Sequence, residues 1–251
     1  MMTNFKKFLY TTVLQLLLIT SSHAAKPLQP GWPIPVHDDT IYTKLLVDRM
    51  EYIASDETEF AMEAKLWIGG DYNRLMLKTE GEFVPDAESD TSIDLVYSRM
   101  VFPYWDVQAG IATELQKHQT GDTQNRYLAT VGFMGLAPYW FETDAALYLS
   151  EEGDVSGTLE LEYDWLINQR TILQANIETM AAMQAVPEFG VYGGFNRFET
   201  GLRLRYEIKR EFAPYIGINY TRKIGRAADA QLELNENPGT FTALAGLRFW
   251  M

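Results

Sequence analysis

Few side chains in this 251-residue sequence carry the chemistry of a metal site or a catalyst. His37, Asp38 and Asp39 ("HDD") form an N/O donor cluster, which equally reads as a solvated loop. Met180 and Met183, in "ETMAAMQA", are soft thioether donors suited to Cu(I), at a spacing that also serves ordinary packing. His118 follows a strand ending near Gln116 and is expected to face solvent. There is no cysteine nucleophile, no G-x-S-x-G and no phosphate-binding glycine loop, and the aspartates lack an obvious dyad partner. The chain is therefore read as a non-enzyme with no catalytic residues.

What positions these donors is a pattern of period two. The segment "FTALAGLRFWM" places Phe241, Ala243, Ala245, Leu247, Phe249 and Met251 on one face, with Gly246 and Arg248 on the other. "WDVQAGIATEL" (105–115), "VSGTLELEYDWLI" (155–167) and "FETGLRLRYEI" (198–208) alternate in the same way. Glu160, Glu162 and Asp164 would scatter around a helix but share one side of a strand. Weaker alternation runs through 59–68, 72–82, 93–101, 125–136, 141–149, 171–181 and 215–222, and a marginal first strand covers about 45–53. The total is about twelve strands, most near the length of roughly ten residues that crosses a bilayer.

The N-terminus reads as an export signal: Lys6 and Lys7, an apolar run from Phe8 to Ile19, then Ser22-His23-Ala24 before the cut. Residues 1–24 are the expected signal peptide, and 25–44 a proline-rich periplasmic segment. Residues 45–251 are the expected barrel. Removing the two signal lysines takes the formal charge from -13 to -15, against nucleic-acid binding, which needs cations to displace phosphate counterions. With no cysteine, order has to come from sheet pairing, packing or lipid.

The links sort by length. Those after even-numbered strands are tight ("GGD", "FP", "AP", "NQ", "KREFA"), while those after odd-numbered strands are generally longer, ending in 183–194 and 223–239. An outer-membrane barrel has short periplasmic turns, long outer loops and an even strand number. "FPYWD", "APYWF" and "APYIG" repeat a Pro-Tyr motif suited to an interfacial aromatic girdle. The expected fold is thus all-β, a transmembrane antiparallel up-and-down barrel, with an apolar outer face and a lumen carrying charges of both signs. Those charges pair into a lattice or, given the acidic excess, offer a pathway for a cation. A barrel of this size is expected to be narrow and largely plugged.

The sequence resembles the copper resistance protein B family over about 48–251, through "LWIGGDYNRLMLKTEGE" (66–82), "YSRMVFPYWDVQAG" (97–110), "GLAPYWFETDAALYLSEEGD" (135–154), "LRLRYEIKREFAPYIGINY" (202–220) and "GLRFW" (246–250). The resemblance implies a barrel in the outer membrane of a Gram-negative bacterium. It would be a lipid-embedded monomer that sequesters copper ions or moves them across the outer membrane, alongside a periplasmic copper protein. A general-diffusion or structural barrel without metal binding is the alternative. Many members carry a Met/His-rich region after the signal; here 26–39 holds one His and no Met. Copper ligands would come from His37, or from the barrel's own Met, Glu and Asp residues.

Overall fold

The computed structural model describes residues 40–54, 59–84, 89–117, 123–233 and 237–251. Alternating apolar and polar residues form twelve strands there: β1 (Tyr42–Ala54), β2 (Glu59–Gly69), β3 (Asn73–Phe83), β4 (Ser89–Phe102), β5 (Trp105–Lys117) and β6 (Thr123–Ala137), followed by β7 (Phe141–Ser150), β8 (Val155–Leu166), β9 (Thr171–Ala182), β10 (Gly194–Tyr206), β11 (Phe212–Lys223) and β12 (Gly239–Trp250). Each pairs antiparallel with its sequence neighbours, and β1 pairs with β12, so the sheet is a closed barrel without free edges. Leu45 and Met251 exchange backbone hydrogen bonds of 2.9 Å at the seam.

The wall follows the alternation. Leu75, Leu95, Val107, Ile111, Val131, Leu147, Ile177, Leu202 and Ile218 are exposed on the outside. Such a continuous apolar surface around a closed barrel has the pattern of a transmembrane barrel's outer wall. No helix among the described residues is long and apolar enough to cross a membrane, and a barrel crosses with its strands. Exposed aromatics collect at both ends: Tyr72, Tyr104, Tyr139 and Trp140 toward the termini, Tyr52, Tyr127, Phe195 and Phe241 toward the long loops. They form the two belts that suit the lipid–water boundaries.

Two of the three Pro-Tyr motifs make the expected girdle turns. Tyr104, Tyr139 and Trp140, with φ of 68–69°, hold left-handed conformations at those turns. The third motif differs. Ala213 and Tyr215 lie within β11 and face the lumen, where the Tyr215 hydroxyl donates to Glu51 at 2.9 Å. A strand start places alternate residues inward, and this register turns the ring away from lipid. The long segment between β11 and β12 also differs from a plain loop: the alanine-rich "RAADAQLE" forms helix α1 (Arg226–Glu233), with Ala227 buried.

Neighbouring backbones come unusually close between β4 and β5 and between β6 and β7. A Cβ added at Gly110 would lie 2.1 Å from the Leu95 carbonyl oxygen, and one at Gly132 would lie 2.4 Å from that of Ala145. These neighbouring backbones approach as only glycine allows, the usual device for curving a sheet into a barrel. Gly110→Ala is expected to lower the unfolding free energy by about 1–3 kcal/mol. Urea titration in detergent, followed by tryptophan fluorescence, checks this; an unshifted midpoint would contradict it.

Candidate functional site

The inward face is the candidate site, and two β-bulges shape it. Val47 pairs with Ala64 and Arg49 with Glu63, leaving Asp48 as an extra residue in β1; Phe195 pairs with Ala181 and Arg197 with Met180, leaving Asn196 extra in β10. A bulge turns two successive side chains to one side. Asp48 and Arg49 therefore both enter the lumen, where Asp48 binds Arg248 while Arg49 binds Glu63 and Glu160. In the second bulge Asn196 ties down the backbone of Tyr192, and Arg197 binds Glu178. Strict alternation misses Arg49 and Arg197 for this reason. The signal in the sequence is the broken pattern that made β1 look marginal.

Several contacts bridge strands that are not neighbours in the sheet. Arg49 Nη2 on β1 reaches Glu160 Oε1 on β8 at 2.7 Å, and Lys78 Nζ on β3 reaches Asp144 Oδ2 on β7 at 2.7 Å. The Tyr148 hydroxyl donates to Asp94 at 3.0 Å. On the other side, Arg203 Nε and Nη2 donate to the two oxygens of Glu51 at 2.6 and 3.2 Å, and Arg203 Nη1 donates to Asn176 Oδ1 at 2.7 Å. Charges held away from bulk water need such complete pairing to offset their desolvation. These contacts are struts across the lumen, and they plug it in part.

Among the described residues, one cavity lies toward the long loops and another toward the termini. The one toward the long loops, of about 430 Å³, has nine acidic and five basic side chains in its lining and is roofed by Phe189, Val191 and Ala227. Arg126 lies 4.6 Å over the Phe189 ring, fastening that roof to β6. The second, of about 350 Å³ toward the termini, is lined by five acids and two bases. Lys65, Asp144 and Glu160 line both cavities, so the chambers meet at a charged partition. Each chamber has an acidic surplus, which favours cations over anions.

Of the metal candidates named from sequence, His37, Asp38 and Asp39 lie outside the described residues, as does His118. Met180 faces the loop-end chamber, whereas Met183, just past β9, is 76 % exposed. Residues three apart in an extended chain point to opposite sides, so the structure does not bring these two thioethers together. Among the described residues no three His, Cys, Asp or Glu side chains converge to hold a metal. Met76, Met100 and Met134 do face the lumen, at the same alternate positions as the charges, a placement already readable from the alternation.

The family model described as Copper resistance protein B precursor (CopB) matches residues 41–251, the whole barrel. The chain belongs to that family. It is 37% identical over 216 residues to the Copper resistance protein B of Escherichia coli, covering 86% of this chain and 71% of the relative. Similarity to the Copper resistance protein B homolog of Pseudomonas syringae pv. tomato is 33% over 216 residues, covering 86% and 72%. Among solved structures a NanC porin resembles the fold, with a TM-score of 0.52 at 14% identity, over 82% of this chain and 98% of the porin. That likeness extends to the barrel architecture. The family match spans the wall from β1 through β12.

Proposed function

We propose that this CopB-family barrel serves copper resistance in the outer membrane by binding copper ions in its acidic lumen and holding them there or passing them across. The observation that carries the reading is the lining of the loop-end chamber, nine acids against five bases, in a chain of a family named for copper resistance. An acidic vestibule with low-dielectric walls concentrates cations before any specific ligand acts. The apolar wall and its two aromatic belts support residence in outer-membrane lipid after removal of residues 1–24. On this reading the tight-turn end is periplasmic, and the long loops with α1 face outward.

Copper is the cargo here, and no catalysis is involved. Met180, which lines the loop-end chamber, the exposed Met183 and the sequence cluster His37-Asp38-Asp39 are the candidate donors. The proline-rich segment before β1 would meet a periplasmic copper protein. A purely structural or general-diffusion barrel is the second reading, favoured by the lack of a converged His, Cys, Asp or Glu cluster among the described residues. Deletion of the gene is expected to lower copper tolerance and complementation to restore it. Equilibrium dialysis of the refolded chain should retain Cu(I) or Cu(II). Unchanged tolerance together with no retained ion would leave the diffusion barrel standing instead.

A further inference from the structure

The chamber toward the termini carries a feature that the charge lattice does not explain. Met100 on β4 stands directly opposite Asp106 on β5, and Asp106 directly opposite Met134 on β6. Directly paired strand residues stand about 4.5–5.5 Å apart on one face. Three adjacent strands therefore present a Met-Asp-Met row, and all three residues line the chamber. The next inward residue of β5, Gln108, is 4 % exposed, and its Nε2 donates to Met76 Sδ at 3.5 Å and to Met134 Sδ at 3.9 Å.

A thioether is a weak acceptor, so this buried amide gains little from either contact. Half a rotation of the amide would exchange its NH2 for its carbonyl oxygen, a change that costs nothing in shape. The turned amide oxygen and the two sulfurs then present one oxygen and two thioether donors to a soft monovalent cation, beside a chamber that Met100 also lines. Asp106 supplies negative charge beside it, while also accepting from Ser98 Oγ at 3.0 Å and Arg74 Nη1 at 3.3 Å. That carboxylate is thus held in place rather than free to chelate, and the sulfurs are left to select the ion. Thioethers prefer Cu(I) to the harder divalent ions.

We propose that Met100 and Met134, which line the chamber toward the termini, together with buried Met76, joined to Met134 through Gln108, form a Cu(I) station at the chamber wall. The inference rests on the copper reading above and gives it a site. Full-length protein in detergent, titrated anaerobically with Cu(I) against a chromophoric chelator, is expected to take up the ion with sulfur in its X-ray absorption shell. In M76L/M100L/M134L, whose swaps conserve volume, that affinity should weaken by more than about tenfold. M50L/M62L, whose methionines line neither chamber, should keep it.

Methyl NMR of the wild-type chain provides a readout that needs no variant to fold. Ag(I), a redox-inert stand-in, should shift the methyls of the three lumen methionines and leave Met50 and Met62 unmoved. Equal affinity in the triple variant, or no selective methyl shift, overturns the station while the copper reading stands on the wild-type uptake. No Cu(I) uptake by the wild type overturns the station; with no Cu(II) retained and copper tolerance unaffected by deletion, the copper reading falls too.

Discussion

Arg203→Met is expected to destabilise the barrel by about 3–5 kcal/mol, the usual consequence of leaving one buried charge without its partner. Arg203 and Glu51 are only 4% and 3% exposed, and they join β10 to β1 across the lumen. Removing the guanidinium strands the Glu51 carboxylate with the Tyr215 hydroxyl alone, and leaves Asn176 Oδ1 without its donor. Replacing both charges relieves most of the loss, because the desolvation cost disappears with the carboxylate. R203M/E51Q should therefore be more stable than R203M. Reversible urea unfolding in lipid, read by tryptophan fluorescence, separates the cases. A single variant within about 1 kcal/mol of wild type, or a double variant no better than the single, would show that the pair is solvated rather than buried.

Arg49→Gln combined with Lys78→Gln is expected to turn two chambers into one path. Arg49 spans from β1 to Glu160 on β8, and Lys78 from β3 to Asp144 on β7; Glu160 and Asp144 belong to the partition. The change also removes two positive charges from a lumen already acidic. At about 7–10 Å in screened water this favours a cation over an anion by about 1 kcal/mol, roughly fivefold in permeability ratio. Planar-bilayer recordings should show small conductance for wild type. The double variant should conduct more and shift the reversal potential in a KCl gradient toward the cation value. Equal currents would mean that the struts do not obstruct passage. Glu63 keeps Lys65 at 3.0 Å in either protein, so the wall on that side retains an ion pair.

These variants probe the part of the molecule that sequence reading reached least well. The wall was legible because each strand declares its two faces within a few residues: in β8 Leu159 and Leu161 point one way, Glu160 and Glu162 the other. β1 was the exception, since the bulge at Asp48 makes two successive residues inward and erases the alternation. The same happens at Asn196, so Arg197 fell outside the recognised stretch of β10. Tyr215 illustrates a different failure. Its motif matched the girdle turns at Tyr104 and Tyr139, but strand register, not composition, sets which way a ring points. The short helix α1 was masked by its place in a long connection, although its alanines favour it.

By itself the sequence determined the barrel: strand number, the apolar exterior, the charged interior and the sorting of short turns from long connections. All of these are local properties of an alternating chain. Only the tertiary structure decided which charges meet, where the lumen is blocked, and that Met76 and Met134 share one amide. Arg49 and Glu160 are 111 residues apart, and Arg203 and Glu51 are 152 apart. Such partners are brought together by ring closure and by the two bulges, and no repeat along the chain encodes a distance measured across the lumen.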